Sequence, residues 1–299
     1  MRLGIDLGGT KTEIIALAPG GAEIYRERRD TPRGSYEDIL KNIKALVENS
    51  EAETGQRGTI GIGIPGTISP KTGLAKNANT TELNGHPLEL DLNSFLGRPV
   101  KVANDANCFA LSEAIDGAGQ GKSVVFGIIL GTGVGGGIVV NGSILNGPNA
   151  VAGEWGHIPL PWANQNERPG PECFCGKKGC IETFLSGPGL SRSHDAVSAT
   201  GPTAQQIAIL ADDGDEAALS TLATYERRLA KALASIINVL DPDIIVCGGG
   251  LSNLDRSTKT PRACGKNIVF PTVSKLLLLK LNTEIPLVFA VLLGFGQVS

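Results

Sequence analysis

The sequence lacks a strong charge bias, a long apolar run and a targeting segment, and each lack excludes a class of protein. Its 27 Lys and Arg residues against 30 Asp and Glu residues leave a formal net charge of −3, which argues against a general nucleic-acid binder or a membrane-surface protein. The leucine run at 276–279 lies between two lysines and is too short to cross a bilayer. The opening residues, MRLGID, resemble a strand and not a targeting peptide. We therefore expect a cytoplasmic protein with neither a nucleic-acid nor a membrane partner.

The P-loop pattern Gly-x4-Gly-Lys-Ser/Thr is also absent, but 40 glycines are present and their positions are informative. Three glycine groups follow apolar, strand-like stretches: residues 8–9 between strands 3–7 and 14–17, residues 131–137 between strands 124–130 and 138–140, and residues 248–250 after strand 244–247. Backbone N–H groups of such turns can surround an anion, although each turn alone also fits an ordinary hairpin or strand-to-helix turn. The strand, turn and strand arrangement occurs twice, and this internal repetition is more informative than either turn.

Several polar side chains lie next to predicted strands in the first part of the chain. Residues 36–53 have helical spacing, and residues 59–64 form a strand that Pro65 and Gly66 end. The loop at 76–81, which contains Asn79, has side chains suited to hydroxyl groups, and a plain polar loop explains it equally well. Asn104 and Asp105 end the strand at 100–103, before a helix. Asp105 is therefore either a helix cap or a general base at the carboxyl end of a strand, where α/β sheets bind ligands.

Four potential metal ligands lie between residues 154 and 182, namely His157, Cys173, Cys175 and Cys180. A Cys3His set suits a tetrahedral zinc ion, and the glycines at 176 and 179 allow the chain to turn back on itself. The alternative is a disulfide cluster, but three cysteines cannot all pair among themselves and no secretory signal precedes them. Four protein ligands leave no open position on the ion, so the sequence predicts a structural Zn2+ site.

The remainder of the chain is predicted to be helical and then to form one more strand. Residues 203–240 are predicted to be helical up to Asp241-Pro242, with the clearest helix at 222–240. Cys108 and Cys247 are interpreted as core residues. The glycine-rich residues 117–121 indicate a boundary between two lobes, one at 1–118 and the other at 119–299.

Six motifs occur in a fixed order that resembles the ROK sugar kinases: DLGGTK at 6–11, ANDAN at 103–107, GTGVGG at 131–136, GEWGH at 153–157, CFCGKKGCIE at 173–182 and GGG at 248–250. The nearest resemblance is to the bacterial fructokinase (manno-fructokinase) branch, and it covers residues 1 to about 255. The resemblance implies an α/β protein of the actin/hexokinase-like (ribonuclease H-like) ATPase fold. It also implies two lobes with ATP in the cleft between them, an inserted structural zinc site and a final segment that returns to the N-terminal lobe.

The resemblance also implies the role of each site residue in phosphorylation of a hexose at O6, with D-fructose as the expected substrate. Asp105 would be the catalytic base, and Asp6 would organise Mg2+ through water. The residues that would contact the nucleotide are Gly8, Gly9, Thr10, Lys11, Gly131, Thr132, Gly133, Gly248 and Gly249. The residues that would bind the sugar are Asn79, Asn104, Asp105, Glu154, His157 and Glu182. The family further implies a homodimer.

Three alternatives to a fructokinase come from the same resemblance. A glucose or mannose kinase of the same family would present the same motifs. A sugar-responsive regulator would carry a helix-turn-helix segment, for which the chain leaves no room before Gly8. A catalytically weak sugar-binding protein is suggested by the tail at about 256–299, which departs from the family and which we interpret as a reading-frame slip.

Overall fold

The computed structural model describes residues 1–198 and 201–253, together with the backbone of 277–280. Contacts divide these residues into two compact units. The first unit comprises Met1–Ser112 and Leu145–Ala152. The second comprises Glu113–Ile144 and the described residues from Gly153 onward. The unit boundary thus lies within a helix, a few residues before the predicted 118/119 boundary, and 145–152 belongs with the first unit. The predicted division into lobes stays a prediction.

The first unit is built on a five-stranded sheet with the strand order β3-β2-β1-β4-β7. Its strands are β1 (Arg2–Leu7), β2 (Lys11–Leu17), β3 (Glu23–Asp30), β4 (Thr59–Ile64) and β7 (Val100–Asn104), and a small separate hairpin contains β5 (Thr67–Ile68) and β6 (Ala75–Lys76). Strands β1, β2 and β3 pair antiparallel, whereas β1, β4 and β7 are parallel. The carboxyl ends of these three parallel strands therefore meet at one edge of the sheet.

The helices of the first unit are α1 (Tyr36–Thr54), α2 (Leu88–Leu96) and α3 (Asp105–Ile115), the last of which continues into the second unit. The Ser35 side chain accepts a hydrogen bond from the Asp38 N–H and begins α1, and Gly55, at a φ of 65°, ends it. The predicted helix at 36–53 is thus confirmed. Its apolar face, including Ile39, Ile43 and Leu46, packs in a core with the sheet residues.

The second unit is built on another five-stranded sheet with the order β10-β9-β8-β11-β12. Its strands are β8 (Val124–Leu130), β9 (Val134–Val140), β10 (Ser143–Ile144), β11 (Ile244–Gly248) and β12 (Leu277–Lys280). Strands β8 and β9 form an antiparallel hairpin, and β11 lies parallel to β8. This repeats the pairing of β1 with β2 and β4, which confirms the predicted internal repetition. The glycines at 135–137, predicted to be in the turn, belong to β9, where they pair with residues 127–129 of β8. At Gly136 a Cβ atom would lie 2.7 Å from the Trp155 ring and 2.9 Å from the Gly153 carbonyl oxygen, so only glycine fits there.

The helices of the second unit are α4 (Ile181–Leu185), α5 (Gly187–Ser198), α6 (Ala204–Asp212) and α7 (Glu216–Leu240). The predicted helix at 222–240 begins six residues earlier, because the Asp215 side chain accepts a hydrogen bond from the Ala218 N–H. Helix α7 ends as predicted at Asp241, which has a φ of 45°, before Pro242. Its apolar face packs against Phe126 and its neighbours in a second hydrophobic core.

Two further predictions concern cysteines and the tail. Cys108 is 1% exposed and Cys247 is 2% exposed, so both are core residues as predicted. The five cysteines of the described segments form no disulfide. The proposed frame slip at 256–299, and the return of the final segment to the first unit, fall largely or wholly outside the described residues. Across those described segments, every helix is too short or too polar to cross a membrane.

Candidate functional site

The turn between β1 and β2 is held closed by hydrogen bonds to the backbone. The Gly8 N–H donates to the Lys11 carbonyl at 2.9 Å, and a Cβ atom at Gly8 would lie only 2.9 Å from that oxygen. Thr31, which is buried, donates from its hydroxyl to the Gly8 carbonyl at 2.7 Å and contacts the hydroxyl of Thr12. Gly9 and Thr10 are exposed, so the turn presents polar backbone to an incoming anion.

Thr31 could not be predicted as part of this turn, because its hydrogen-bond partners lie 19 and 23 residues away and no local sequence pattern marks such contacts. Lys11, which the resemblance predicts to contact phosphates, is exposed. Its ammonium group forms an ion pair with Asp30. That ion pair lowers the pKa of Asp30.

Asp6 and Asp105 lie near the same buried thiol. Burial, followed by the charges of Asp105 and Asp6, raises the pKa of Cys108 well above its ordinary value. Burial, reinforced by Glu13 and opposed by Arg28, raises the pKa of Asp6 to about 6. Asp6 is the penultimate residue of β1, and Asp105 follows β7. The parallel order of β1, β4 and β7 thus brings these two carboxylates to the same sheet edge.

The effect of burial on the Asp6 carboxylate can be tested by measuring the free energy of unfolding of an Asp6 variant at two pH values. Because the pKa of Asp6 in the folded state, about 6, exceeds its ordinary value of 3.8, the folded state binds more protons and stability falls as the pH rises from about 3.8 to about 6. We therefore expect Asp6→Asn to raise the free energy of unfolding at pH 8 by roughly 3 kcal/mol and to leave it nearly unchanged below about pH 4. Urea unfolding without divalent cations measures this difference. A gain of equal size at both pH values, or in the exposed control Asp212→Asn, would contradict the assignment.

The loop that contains Asn79 and the end of β7 are tied to one turn, at Pro65 and Gly66. The Asn79 N–H donates to the Pro65 carbonyl at 3.0 Å, and the Asn104 amide donates to the Gly66 carbonyl at 3.0 Å. A Cβ atom at Gly66 would lie 2.7 Å from the Ala78 Cα, so glycine is needed for this approach. The structure thus brings Asn79 and Asn104 to the same turn, with the Asn79 side chain exposed.

The choice between a cap and a base at Asp105 is clarified by its neighbour. The Asn104 side chain accepts a hydrogen bond from the Asn107 N–H at 3.2 Å, which is the usual N-cap contact. Asp105 is the first residue of α3, and one of its carboxylate oxygens accepts from the Ala106 N–H at 2.7 Å. Asn104 therefore supplies the cap, so capping does not explain the carboxylate at 105.

In the second unit, the turn after β8 and the turn after β11 lie side by side. The Gly131 N–H donates to the Gly133 carbonyl at 3.0 Å, with Thr132 exposed. Gly249 has a φ of 86°, and a Cβ atom there would lie 2.4 Å from the Leu130 carbonyl oxygen. Only glycine fits this position. Since β8 and β11 are parallel, the turns at 131–133 and 248–249 share one sheet edge and together expose polar backbone.

The segment that carries Glu154 and His157 lies against the glycine-rich strand β9. Trp155 is 3% exposed, and its indole N–H donates to the Gly135 carbonyl at 2.8 Å. A Cβ atom at Gly156 would lie 2.2 Å from the Val134 carbonyl oxygen. This close packing fixes the short 3-10 helix Trp155–His157 on the strand, while Glu154 before it is exposed to solvent.

The four predicted metal ligands meet at one point. The ligand atoms of His157, Cys173, Cys175 and Cys180 all lie within 4.8 Å of one another. The Cys173 sulfur lies 3.5 Å from the His157 Nδ1, and the Cys175 and Cys180 sulfurs lie 3.6 Å apart. Two sulfurs about 2.3 Å from a tetrahedral zinc ion would lie about 3.8 Å apart. The donor set and its spacing therefore fit zinc.

The thiols of this cluster differ in how readily they lose a proton. Burial, together with hydrogen bonds that the Cys180 thiol donates to Cys175 and Cys173, raises the pKa of Cys180 to about 12. A backbone hydrogen bond at Lys177 is the main cause that lowers the pKa of Cys175. Gly176 and Gly179 have φ values of 84° and 71°, as the predicted turn requires. An ion bound here would displace thiol protons, so its affinity would fall with decreasing pH.

Comparison with known proteins agrees with the fold and the order of the motifs. The model of the ROK family matches residues 2–281. The N-acetyl-D-glucosamine kinase of Histophilus somni is 40% identical over 260 residues, which is 85% of each chain. The ROK hexokinase of Thermus thermophilus superposes with a TM-score of 0.86 at 28% identity, covering 98% of this chain and 96% of that one.

A ROK family glucokinase from Streptomyces griseus, solved in complex with glucose and AMPPNP, superposes with a TM-score of 0.80 at 28% identity, covering 97% of both chains. The predicted α/β fold of the actin/hexokinase type is thereby confirmed, as is the family inferred from the six motifs. This chain belongs to the ROK family.

Proposed function

We propose that this protein transfers the γ-phosphoryl group of ATP to the O6 hydroxyl of a hexose. The observation that carries the proposal is the 40% identity, over 85% of each chain, to a sugar kinase. A relative of the same fold was solved with a sugar and an ATP analogue together, which supports ATP as the phosphoryl donor.

The residues of the first unit suit the proton transfer. The hexose oxygen would attack the γ-phosphorus, its proton would pass to the Asp105 carboxylate, and the bond to the β–γ bridging oxygen would break to release ADP. Asn79 and Asn104, both held at Pro65 and Gly66, would bind sugar hydroxyls. The exposed turn from Gly8 to Lys11 would contact phosphate.

Asp6 has the partly buried carboxylate that would hold Mg2+ through water. The ion, when bound, would neutralise charge on the phosphates.

The residues of the second unit suit binding of both substrates. The turn at 131–133 would contact phosphate, and Gly248 and Gly249 would lie along the adenosine. Glu154 and Glu182 would accept hydrogen bonds from sugar hydroxyls, and His157 would bind a further hydroxyl. The zinc ion would be structural, because His157 and three cysteines would fill its four positions. A ring nitrogen of His157 bound to the metal would leave the other one aimed at the sugar.

Two hexoses are candidates for the preferred acceptor. The six motifs, whose nearest resemblance is to the manno-fructokinase branch, favour D-fructose. The relatives at 40% identity favour N-acetyl-D-glucosamine as the second candidate. The two sugars differ at C2, where one carries an acetamido group, so a pocket that suits one would discriminate against the other. The homodimer expected from the family likewise stays a prediction.

An assay with a panel of hexoses tests both the proposed kinase activity and the proposed preference for D-fructose. We expect ATP-dependent ADP release with D-fructose, at a kcat/KM about tenfold or more above that for mannose, glucose and N-acetyl-D-glucosamine. A chelator that removes zinc should abolish this release, whereas excess Mg2+ alone should not restore it. A higher kcat/KM for N-acetyl-D-glucosamine would replace fructose as the substrate. The absence of ADP release with every hexose would contradict the kinase proposal itself.

A further inference from the structure

The side chain of Glu182 reaches the turn between β8 and β9. Its Oε2 accepts a hydrogen bond from the Val134 N–H at 3.0 Å. A Cβ atom at Gly133 would lie 2.9 Å from the same oxygen, so glycine is what allows the carboxylate to approach. Val134 is 5% exposed. A charge-assisted hydrogen bond to a buried amide is stronger than one in water and fixes the end of the turn.

Both ends of helix α4 support this turn. Glu182 lies in the first turn of α4 and contacts Val134. Just after the helix, the Gly187 N–H donates to the Gly131 carbonyl at 2.7 Å. The end of α4 is itself attached to α7, because the buried Tyr225 hydroxyl donates to the Leu185 carbonyl at 3.0 Å. The turn at 131–133 therefore takes its position from α4 at two points.

The same helix begins at the cysteine cluster. Cys180 occupies the N-cap position of α4, and its sulfur lies 3.6 Å from the His157 carbonyl oxygen. A short, largely buried helix thus connects the candidate metal ligands to the turn after β8. Any displacement at Cys180 would move Glu182, two residues later.

We infer that Glu182 is a positioning residue for the turn at 131–133 and that it links sugar recognition to nucleotide binding. One carboxylate oxygen accepts the hydrogen bond from the Val134 N–H. The other oxygen would bind the sugar, as in the proposed function. The inference rests on that proposed function, which assigns phosphate binding to the turn and sugar binding to Glu182. Loss of Glu182 should therefore weaken binding of the nucleotide even when no sugar is present.

Nucleotide binding by sugar-free protein tests this link. We expect Glu182→Ala to raise the dissociation constant for AMPPNP about tenfold or more, since it leaves a buried N–H without its acceptor. Glu182→Gln retains an oxygen that accepts from Val134, so its affinity should stay within about threefold of wild type. Glu172→Ala is the matched control, because Glu172 lies in the loop before α4 and is exposed, and its ion pair with Lys178 is also exposed.

Hydrogen exchange gives a second readout that needs no ligand. The Val134 amide should exchange faster in Glu182→Ala and remain protected in Glu182→Gln. Unchanged AMPPNP affinity in Glu182→Ala would overturn the inference, whether or not hexoses are phosphorylated. Wild-type protein that releases no ADP with any hexose, yet binds AMPPNP in a Glu182-dependent way, would instead remove the proposed function and keep the link. Wild-type protein that binds no AMPPNP would overturn both.

Discussion

Asp105→Asn should lower kcat by about a thousandfold, because it removes the group that accepts the proton of the attacking hydroxyl. The amide has nearly the same size and retains an oxygen that accepts from the Ala106 N–H, so α3 should begin at the same residue. Binding of hexose and AMPPNP should therefore stay within about threefold of wild type. Steady-state kinetics for turnover and calorimetry for binding measure the two effects separately.

The control for this variant is Asp212→Asn, which makes the same change at the exposed end of α6. It should retain wild-type kcat. Asn104→Ala offers a structural comparison, since it removes the cap of α3 and should cost stability by about 1 kcal/mol. Full turnover by Asp105→Asn would exclude Asp105 as the base.

Cys175→Ser should remove the metal and most of the activity. We expect one zinc ion per wild-type chain and none in the variant, because a serine hydroxyl is a poor zinc ligand at neutral pH. The ion would hold residues 154–182 together, so its loss should lower the free energy of unfolding by several kcal/mol. It should also raise the KM for the hexose, since His157 would lose its fixed orientation. Elemental analysis, urea unfolding and kinetics measure these three changes.

Cys247→Ala is the matched control for the metal, because Cys247 lies buried in β11 and outside the cluster. It should keep one zinc ion per chain while losing about 1 kcal/mol of stability through the smaller side chain. Purified wild-type protein without zinc would contradict the metal site.

Local patterns were sufficient for most of the secondary structure. The hairpins at residues 8–9 and 131–133 are confirmed because a glycine turn between two apolar stretches is a short-range signal. Helix α1 is confirmed to within one residue because its cap and its end, Ser35 and Gly55, are local. The prediction was wrong at 135–137, which lie in β9, where glycine at 136 allows Trp155 and the Gly153 carbonyl to approach closely. A contact between distant segments leaves no local pattern.

The candidate site shows the same division. The cluster of four candidate metal ligands could be predicted because ligand type and short spacing define such a cluster. The capping role of Asn104 could not, since Asn104 and Asp105 are equally good cap residues by composition and only the backbone places one at the cap. Thr31 and the contact of Glu182 with Val134 were missed because their partners lie 23 and 48 residues away.

The sequence by itself determined the family, the two glycine turns and the cysteine cluster, because motif order and ligand spacing are properties of the chain. Only the tertiary structure decided which groups meet: Asp6 and Asp105 at one sheet edge in the first unit, and Glu182 of α4 at the end of the turn at 131–133 in the second. The physical reason is that parallel strands bring their carboxyl ends together across long stretches of sequence. The strand order that does so is set by packing of the whole sheet and not by any local pattern.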